Sequence, residues 1–238
     1  MRIKRLFRKR AEYGQLIGRP SIAASLRGWP RPGYRLAIAR YGGRKVDAEP
    51  REIARDASRG RGGMRCAFTP YDAPPVLRGD LIFERKRIAA QGAPGCETIN
   101  DLAERHGRPR SASLILKIDI EHDEWPVFDA TTESALSAFS QIVGEFHGFG
   151  SMIDSSWSDR ARRVFEKLTG QFGVVHVHAN NHCGLNSVAN IPVPEVLEIT
   201  FANRRRYKLA NTDEIFPGPL DAPNYPYLPD IHLGKFVY

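Results

Sequence analysis

Residues 113–121 read Ser113-Leu-Ile-Leu-Lys-Ile-Asp-Ile-Glu121, and this stretch decides the fold class. Leu114, Ile115, Leu116, Ile118 and Ile120 make a near-continuous apolar run. Such a run suits a strand covered on both faces of a parallel sheet, not a half-exposed strand that alternates. The run ends in Asp119 and Glu121, two positions apart, so an extended backbone turns both carboxylates to one face. Burying two carboxylates together is costly unless they are hydrogen-bonded, paired or hold a cation. A role in fixing a cofactor or a substrate hydroxyl is therefore the better reading of this pair.

Upstream, Thr98 followed by Asp101 is a capping box opening the helix Ile99–His106, with Gly107 at its end. Residues 81–89, LIFERKRIA, alternate apolar and charged side chains and predict a strand. Residues 64–72, MRCAFTPYD, predict another, closed by Asp72 and the turn Ala73-Pro74-Pro75. Downstream, EWPVFDATTESALSAF supplies a helical crossover and SQIVGEFHG, residues 140–148, a buried strand ending in Glu145 and His147. Residues 158–170 predict an amphipathic helix stopped by Gly170. Strands follow at 172–180 and 196–205, and the tail from Asn211 is Pro-rich and irregular.

Strand, helix, strand, helix, strand, strand is the order of an α/β three-layer sandwich. Ligands in such sheets sit beyond the carboxyl ends of the strands. Polar residues directly after apolar strands are thus the first candidates: Asp72, Asp119 with Glu121, Glu145 with His147, and His176, His178, Asn180 and Asn181.

The chain has 238 residues, 42% of them hydrophobic, enough for one large domain with a true core. Its net charge of +8 is unevenly spread. Residues 1–65 hold 18 Lys and Arg against 5 Asp and Glu, so the remainder is mildly acidic. A nucleic-acid enzyme should carry its basic surface on the folded site, so that class is not expected. The basic stretch at residues 2–10 reads as a solvated terminal helix or as a weak contact to anionic surfaces. Residues 18–63 are rich in Gly, Arg, Pro and Ala and keep no period apart from Leu36–Ala39. They predict loop or disorder, giving a division into a basic segment, 1–63, and an α/β domain, 64–238. Three widely spaced cysteines suggest neither a disulfide framework nor a zinc knuckle, and no apolar run could span a bilayer. A cytoplasmic setting is the expectation.

Several segments in order resemble FkbM-type methyltransferases. LILKIDIEHDEW, residues 114–125, is similar to that family's strand-four signature. It is followed by Gln141-Ile-Val-Gly-Glu-Phe-His147, Val175-His-Val-His-Ala-Asn-Asn181, Pro194-Glu-Val-Leu-Glu-Ile-Thr-Phe201, Leu220-Asp-Ala-Pro-Asn224 and Pro229-Asp-Ile-His-Leu-Gly-Lys-Phe236. The resemblance covers residues 64–238 and implies a Rossmann-like methyltransferase domain. It also implies S-adenosylmethionine (SAM) as cofactor and O-methylation of a sugar or small-molecule hydroxyl. Two positions depart from the pattern. The family's Gly after the strand-four Glu is His122 here. The Gly-rich loop that should hold the methionine end of SAM has Gly42-Gly43 as its best counterpart. The composition around that pair also suits GC-rich DNA translated in another frame.

Each candidate carries a functional and a structural reading. Asp72 is expected to bind the ribose hydroxyls of SAM, or is a turn residue before Ala-Pro-Pro. Asp119 joins it as a cofactor contact, with Gly42 and Gly43. His147 beside Glu145 is expected as general base, with Glu121 in the same catalytic group, or is a satisfied structural imidazole. Glu124-Trp125 read as a helix start and core anchor. His176, His178, Asn180 and Asn181 are expected to wall the substrate site. Zinc on His176, His178, His182 and Cys183 matches no standard spacing, and no metal is expected.

Overall fold

The computed structural model describes residues 86–107, 112 and 114–235, together with strands at 35–40, 65–68 and 81–84. Asp72, Gly42, Gly43 and the basic stretch at 2–10 lie outside the described residues.

The strand expected from the apolar run is β6, Leu114–Asp119. It lies mid-sheet, between β1, Arg35–Arg40, and β7, Phe139–His147. Leu114, Leu116, Ile118 and the following Ile120 are fully buried, and Ile115 is nearly so. Outward from β1 come β2, Arg65–Phe68, and β3, Leu81–Glu84. On the other side, beyond β7, lie β11, Val196–Asn203, and β8, Phe172–Ala179. The seven-stranded sheet has the order β3-β2-β1-β6-β7-β11-β8. Strands β2 and β3 pair in parallel, as do β6 and β7. Strand β11 is antiparallel to both its neighbours, and β1 is antiparallel to β2 and β6. This is a mixed α/β domain.

Among the described residues, four helices and a 3-10 turn accompany this sheet. Thr98 and Asp101 form the reciprocal capping box of α1, Ile99–His106. The crossover from β6 to β7 is two short helices, α2, Glu124–Ala130, and α3, Glu133–Leu136. After β7 a 3-10 turn, Phe149–Ile153, leads into α4, Ser155–Gln171. That helix starts earlier than its periodicity suggests because the Asp154 carboxylate accepts from the backbone N–H groups of Ser156 and Trp157. It also runs past Gly170 to Gln171. Helix α4 buries Ala161, Val164 and Leu168 and clips onto α2. The Lys167 ammonium donates to the carbonyls of Phe128, Asp129 and Thr131 at the end of α2.

The core beneath α2 and α4 is aromatic. Phe146 is fully buried, with Phe128 stacked on it at 5.7 Å and Trp125, Phe165 and Phe201 at its other sides. Trp125 meets Trp157 edge-on at 4.9 Å.

Four features differ from the sequence expectation. Residues 81–89 break into β3 and the two-residue β4, Arg87–Ile88, which pairs with β5, Cys96–Glu97. Arg35–Arg40, inside the segment read as irregular, forms strand β1. Residues 185–194 form an unanticipated hairpin, β9, Leu185–Val188, and β10, Ile191–Pro194. Its two-residue loop holds Ala189 at φ 49° and Asn190 at φ 64°, the positive pair a tight hairpin turn requires. Within the tail, β12, Ile215–Phe216, pairs with β13, Gly234–Lys235. Among the described residues no helix is long and apolar enough to cross a membrane.

Candidate active site at the carboxyl ends of the central strands

Strands β6 and β7 run in parallel, so their carboxyl ends open at the same edge of the sheet. Asp119 and Glu121 stand at the end of β6, and Glu145 and His147 at the end of β7. One ligand atom from each of Asp119, Glu121 and His147 lies within 4.8 Å of the others. The His147 Nε2 is 3.6 Å from Glu121 Oε2 and 4.0 Å from Glu145 Oε1. The structure thus brings together Asp119, Glu121, Glu145 and His147.

The other ring nitrogen of His147 faces Glu124, with Nδ1 3.2 Å from Oε1. The same Glu124 oxygen accepts the Ile120 N–H at 2.9 Å. Glu124 is fully buried, and its second oxygen has no hydrogen-bond partner. The sequence reading made Glu124 only a helix start; its role in fixing the imidazole had no signal there, because Glu is common in a first helical turn. Trp125, next in the chain, donates its Nε1–H to the His147 carbonyl at 2.6 Å. Both ring and backbone of His147 are therefore held from α2.

The turn after β6 is left-handed, with Glu121 at φ 53° and His122 at φ 77°. This is the conformation that favours Gly, and here two side-chain-bearing residues adopt it. The result projects Glu121 outward, 43% exposed at its side chain, and lays the His122 ring 5.1 Å from that of His147.

Crowded carboxylates change the proton affinities. Burial, then the charge of Glu145, raises the Asp119 carboxyl to about 7, with Lys117 opposing. Burial pushes the His147 imidazole down, but the Glu124 hydrogen bond and the charges of Glu124, Glu145 and Glu121 outweigh it and raise it to about 9. A rise in this direction favours the protonated ring, whose Nε2–H is a donor. Asp119 Oδ1 is buried and accepts no hydrogen bond among the described residues.

The residues expected to wall a substrate are divided. Asn180 belongs to the cluster, donating from its amide to Glu145 Oε1 at 2.9 Å. The other three are engaged by the tail. His176 Nε2 lies 2.8 Å from Asp221 Oδ1. His178 Nε2 lies 3.1 Å from both oxygens of Asp230, and its Nδ1 is 3.9 Å from Glu198. Asn181 is buried; its amide donates to the carbonyls of Tyr225, Leu228 and Pro229, and its carbonyl accepts from the Tyr225 N–H. These three side chains clasp the tail onto the sheet. Burial and the charges of Glu145, Glu121 and Glu195 push the Cys183 thiol up, which disfavours the thiolate a zinc site would use. Among the described residues, the group with metal-ligand spacing is Asp119, Glu121 and His147.

No family model, curated protein or solved structure matches this chain.

Proposed function

We propose that the chain is a methyltransferase-type α/β protein that handles a hydroxyl-bearing sugar or small molecule at the β6–β7 edge, with SAM as the methyl donor. The observation that carries this reading is the convergence of Asp119, Glu121, Glu145 and His147 beyond the carboxyl ends of neighbouring parallel strands. Ligands of doubly wound sheets bind at that edge. Numbering the main-sheet strands alone, the order is third, second, first, fourth, fifth, seventh, sixth, which contains the doubly wound 3-2-1-4-5 succession. Both supports agree with the sequence resemblance to FkbM-type enzymes.

The acceptor end fits this chemistry. A hydroxyl seated between Asp119 Oδ1 and His147 Nε2 would receive a hydrogen bond from the imidazolium and give its proton to the unpartnered carboxylate oxygen. Glu121 and Glu145 would orient further hydroxyls, with Asn180 fixing Glu145. SAM, when bound, supplies an electrophilic methyl group.

The cofactor end fits less well. Strand β1 runs antiparallel to β6, with Arg35 beside Asp119 and Arg40 beside Leu114. The loop that should bind the methionine end follows the first strand, and β1 ends at the edge opposite Asp119. This favours a second reading, a methyltransferase-like binding protein without a productive SAM loop. Missing backbone donors to charged groups cost about 1.5–3 kcal/mol each, and each 1.4 kcal/mol is tenfold in affinity. Calorimetric titration with SAM is therefore expected to give a dissociation constant on the order of hundreds of micromolar or weaker. Labelled methyl transfer to a panel of sugars and phenols separates the two readings. Low-micromolar SAM binding with turnover supports an active enzyme; absence of any SAM binding removes the methyltransferase reading.

A further inference from the structure

We propose that Asp119, Glu121 and His147 form a binding site for a single divalent cation of the Mn2+ class. The first ground is geometric. The three ligand atoms lie within 4.8 Å of one another, on the strand ends and the turn after β6. Oxygen ligands about 2.1–2.3 Å from such an ion stand roughly 3–4.5 Å apart, so small side-chain rotations close the shell.

The second ground is how the imidazole is held. Its Nδ1 is committed to Glu124, and Glu124 is itself tied to the Ile120 N–H. A carboxylate behind the far ring nitrogen is the usual outer partner of a metal-bound histidine, fixing ring orientation and leaving Nε2 as the ligand atom. Here Nε2 lies 3.6 Å from Glu121 and 4.0 Å from Glu145, beyond hydrogen-bond length among the described residues, although the His147 side chain is only 8% exposed. The third ground is the orphaned oxygen. Asp119 Oδ1 is buried without a partner, a costly arrangement that a cation relieves.

Charge points the same way. Four carboxylates, Asp119, Glu121, Glu124 and Glu145, are gathered around one imidazole, and a cation taken up at Nε2 displaces the proton there. Oxygen ligands favour Mg2+, Ca2+ and Mn2+, and one imidazole moves the preference toward Mn2+ and its neighbours. Glu145 Oε1, 4.0 Å from His147 Nε2, stands beside the three and is held by Asn180. The histidines of β8 are not part of this site, since Asp221 and Asp230 engage them.

The inference does not depend on methyl transfer, because the test uses the full chain with Mn2+ and without SAM. Loss of the free Mn2+ paramagnetic resonance signal on titration, with one ion per chain, is the expected result. Glu121→Gln, an exposed position that should leave folding intact, is expected to weaken binding at least tenfold, as is Asp119→Asn. Glu124→Gln, which acts through the ring, should weaken it by about 10-fold or more. His176→Gln should leave it unchanged. No binding by the unmodified chain overturns the proposal, and means that the imidazolium alone balances the acids. Binding that survives both Glu121→Gln and Asp119→Asn overturns it equally, because the ion then sits elsewhere.

Discussion

The indole Nε1–H of Trp125 donates to the backbone carbonyl of His147 at 2.6 Å, tying the first turn of α2 to the last residue of β7. The bond is buried and links the residue after Glu124 to the residue whose ring Glu124 holds. Helix α2 thus controls His147 twice, once at the ring and once at the main chain.

Trp125→Phe removes that donor while keeping an aromatic ring among Phe146, Phe149, Trp157 and Phe165. The His147 carbonyl is then left buried without its partner. A loss of about 1–3 kcal/mol is expected on denaturant unfolding. An unchanged midpoint would mean that the carbonyl finds another donor and that the indole matters only for packing.

His122 occupies a left-handed position where Gly would be unstrained. His122→Gly should therefore stabilise the chain by about 0.5–1 kcal/mol, the relief of the left-handed backbone less the entropy that Gly adds. His122→Val should do the reverse, since a β-branched residue is poorly accommodated there. If both variants melt alike, the turn after β6 is not strained.

The clasp formed by His178, Glu198 and Asp230 makes stability depend on pH. Glu198 raises the His178 imidazole, burial opposes, and Asp230 raises it further, to about 9 against an ordinary 6.5. Its contribution is complete below 6.5 and is lost as pH rises through 9. Burial pushes Glu198 up, but His178, Lys117 and Asn224 more than compensate and hold it well below the ordinary 4.5. Its contribution is present above 4.5 and is lost as pH falls below that value. Thermal melts across the alkaline range should fall, and Asp230→Asn should flatten that fall. A flat alkaline limb in the unmodified chain would contradict the clasp.

Gly144 sits on β7 two residues before Phe146, and a Cβ there would stand 2.5 Å from Phe146 Cε2. The ring cannot swing away, because Phe128, Phe165 and Phe201 surround it. Gly144→Ala should cost about 1–3 kcal/mol by overpacking. Double substitution with Phe146→Leu should recover part of that loss, and a variant as stable as the parent would show that the core yields.

What the sequence disclosed follows the range of the forces involved. Strand β6 was legible because burial on both faces leaves a near-continuous apolar run, and β7, β8 and β11 because β-branched and aromatic residues recur along them. The capping box at Thr98 was legible because it is closed within four residues. The pairing of Asp119 and Glu121 with His147 could be guessed only in outline, from which strand ends carried acids. Strand β1 was hidden because RLAIAR is short and sits among Gly and Arg. The β9–β10 turn was hidden because Ala189 stands where Gly or Asn would have marked a positive φ. The partners of His176 and His178 lie 45 and 52 residues further on, a separation to which no local period reaches.

That separation has a consequence for synthesis. A chain is made from its amino end at about 5–20 residues per second, so β7, β8 and β11 are complete before Asp221, Asn224 and Asp230 emerge from the ribosome. Until then His176, His178 and the amide of Asn181 have no tail to hold, and Glu198 lacks its Asn224 partner. The nascent sheet therefore passes through an interval of about a second or more, the stretch from β11 to Asp230 over that rate, with these polar groups open to water and to other chains. The tail arrives after the strands it is clasped to, and a chain cut short before Asp221 would leave the sheet with its histidines unclasped.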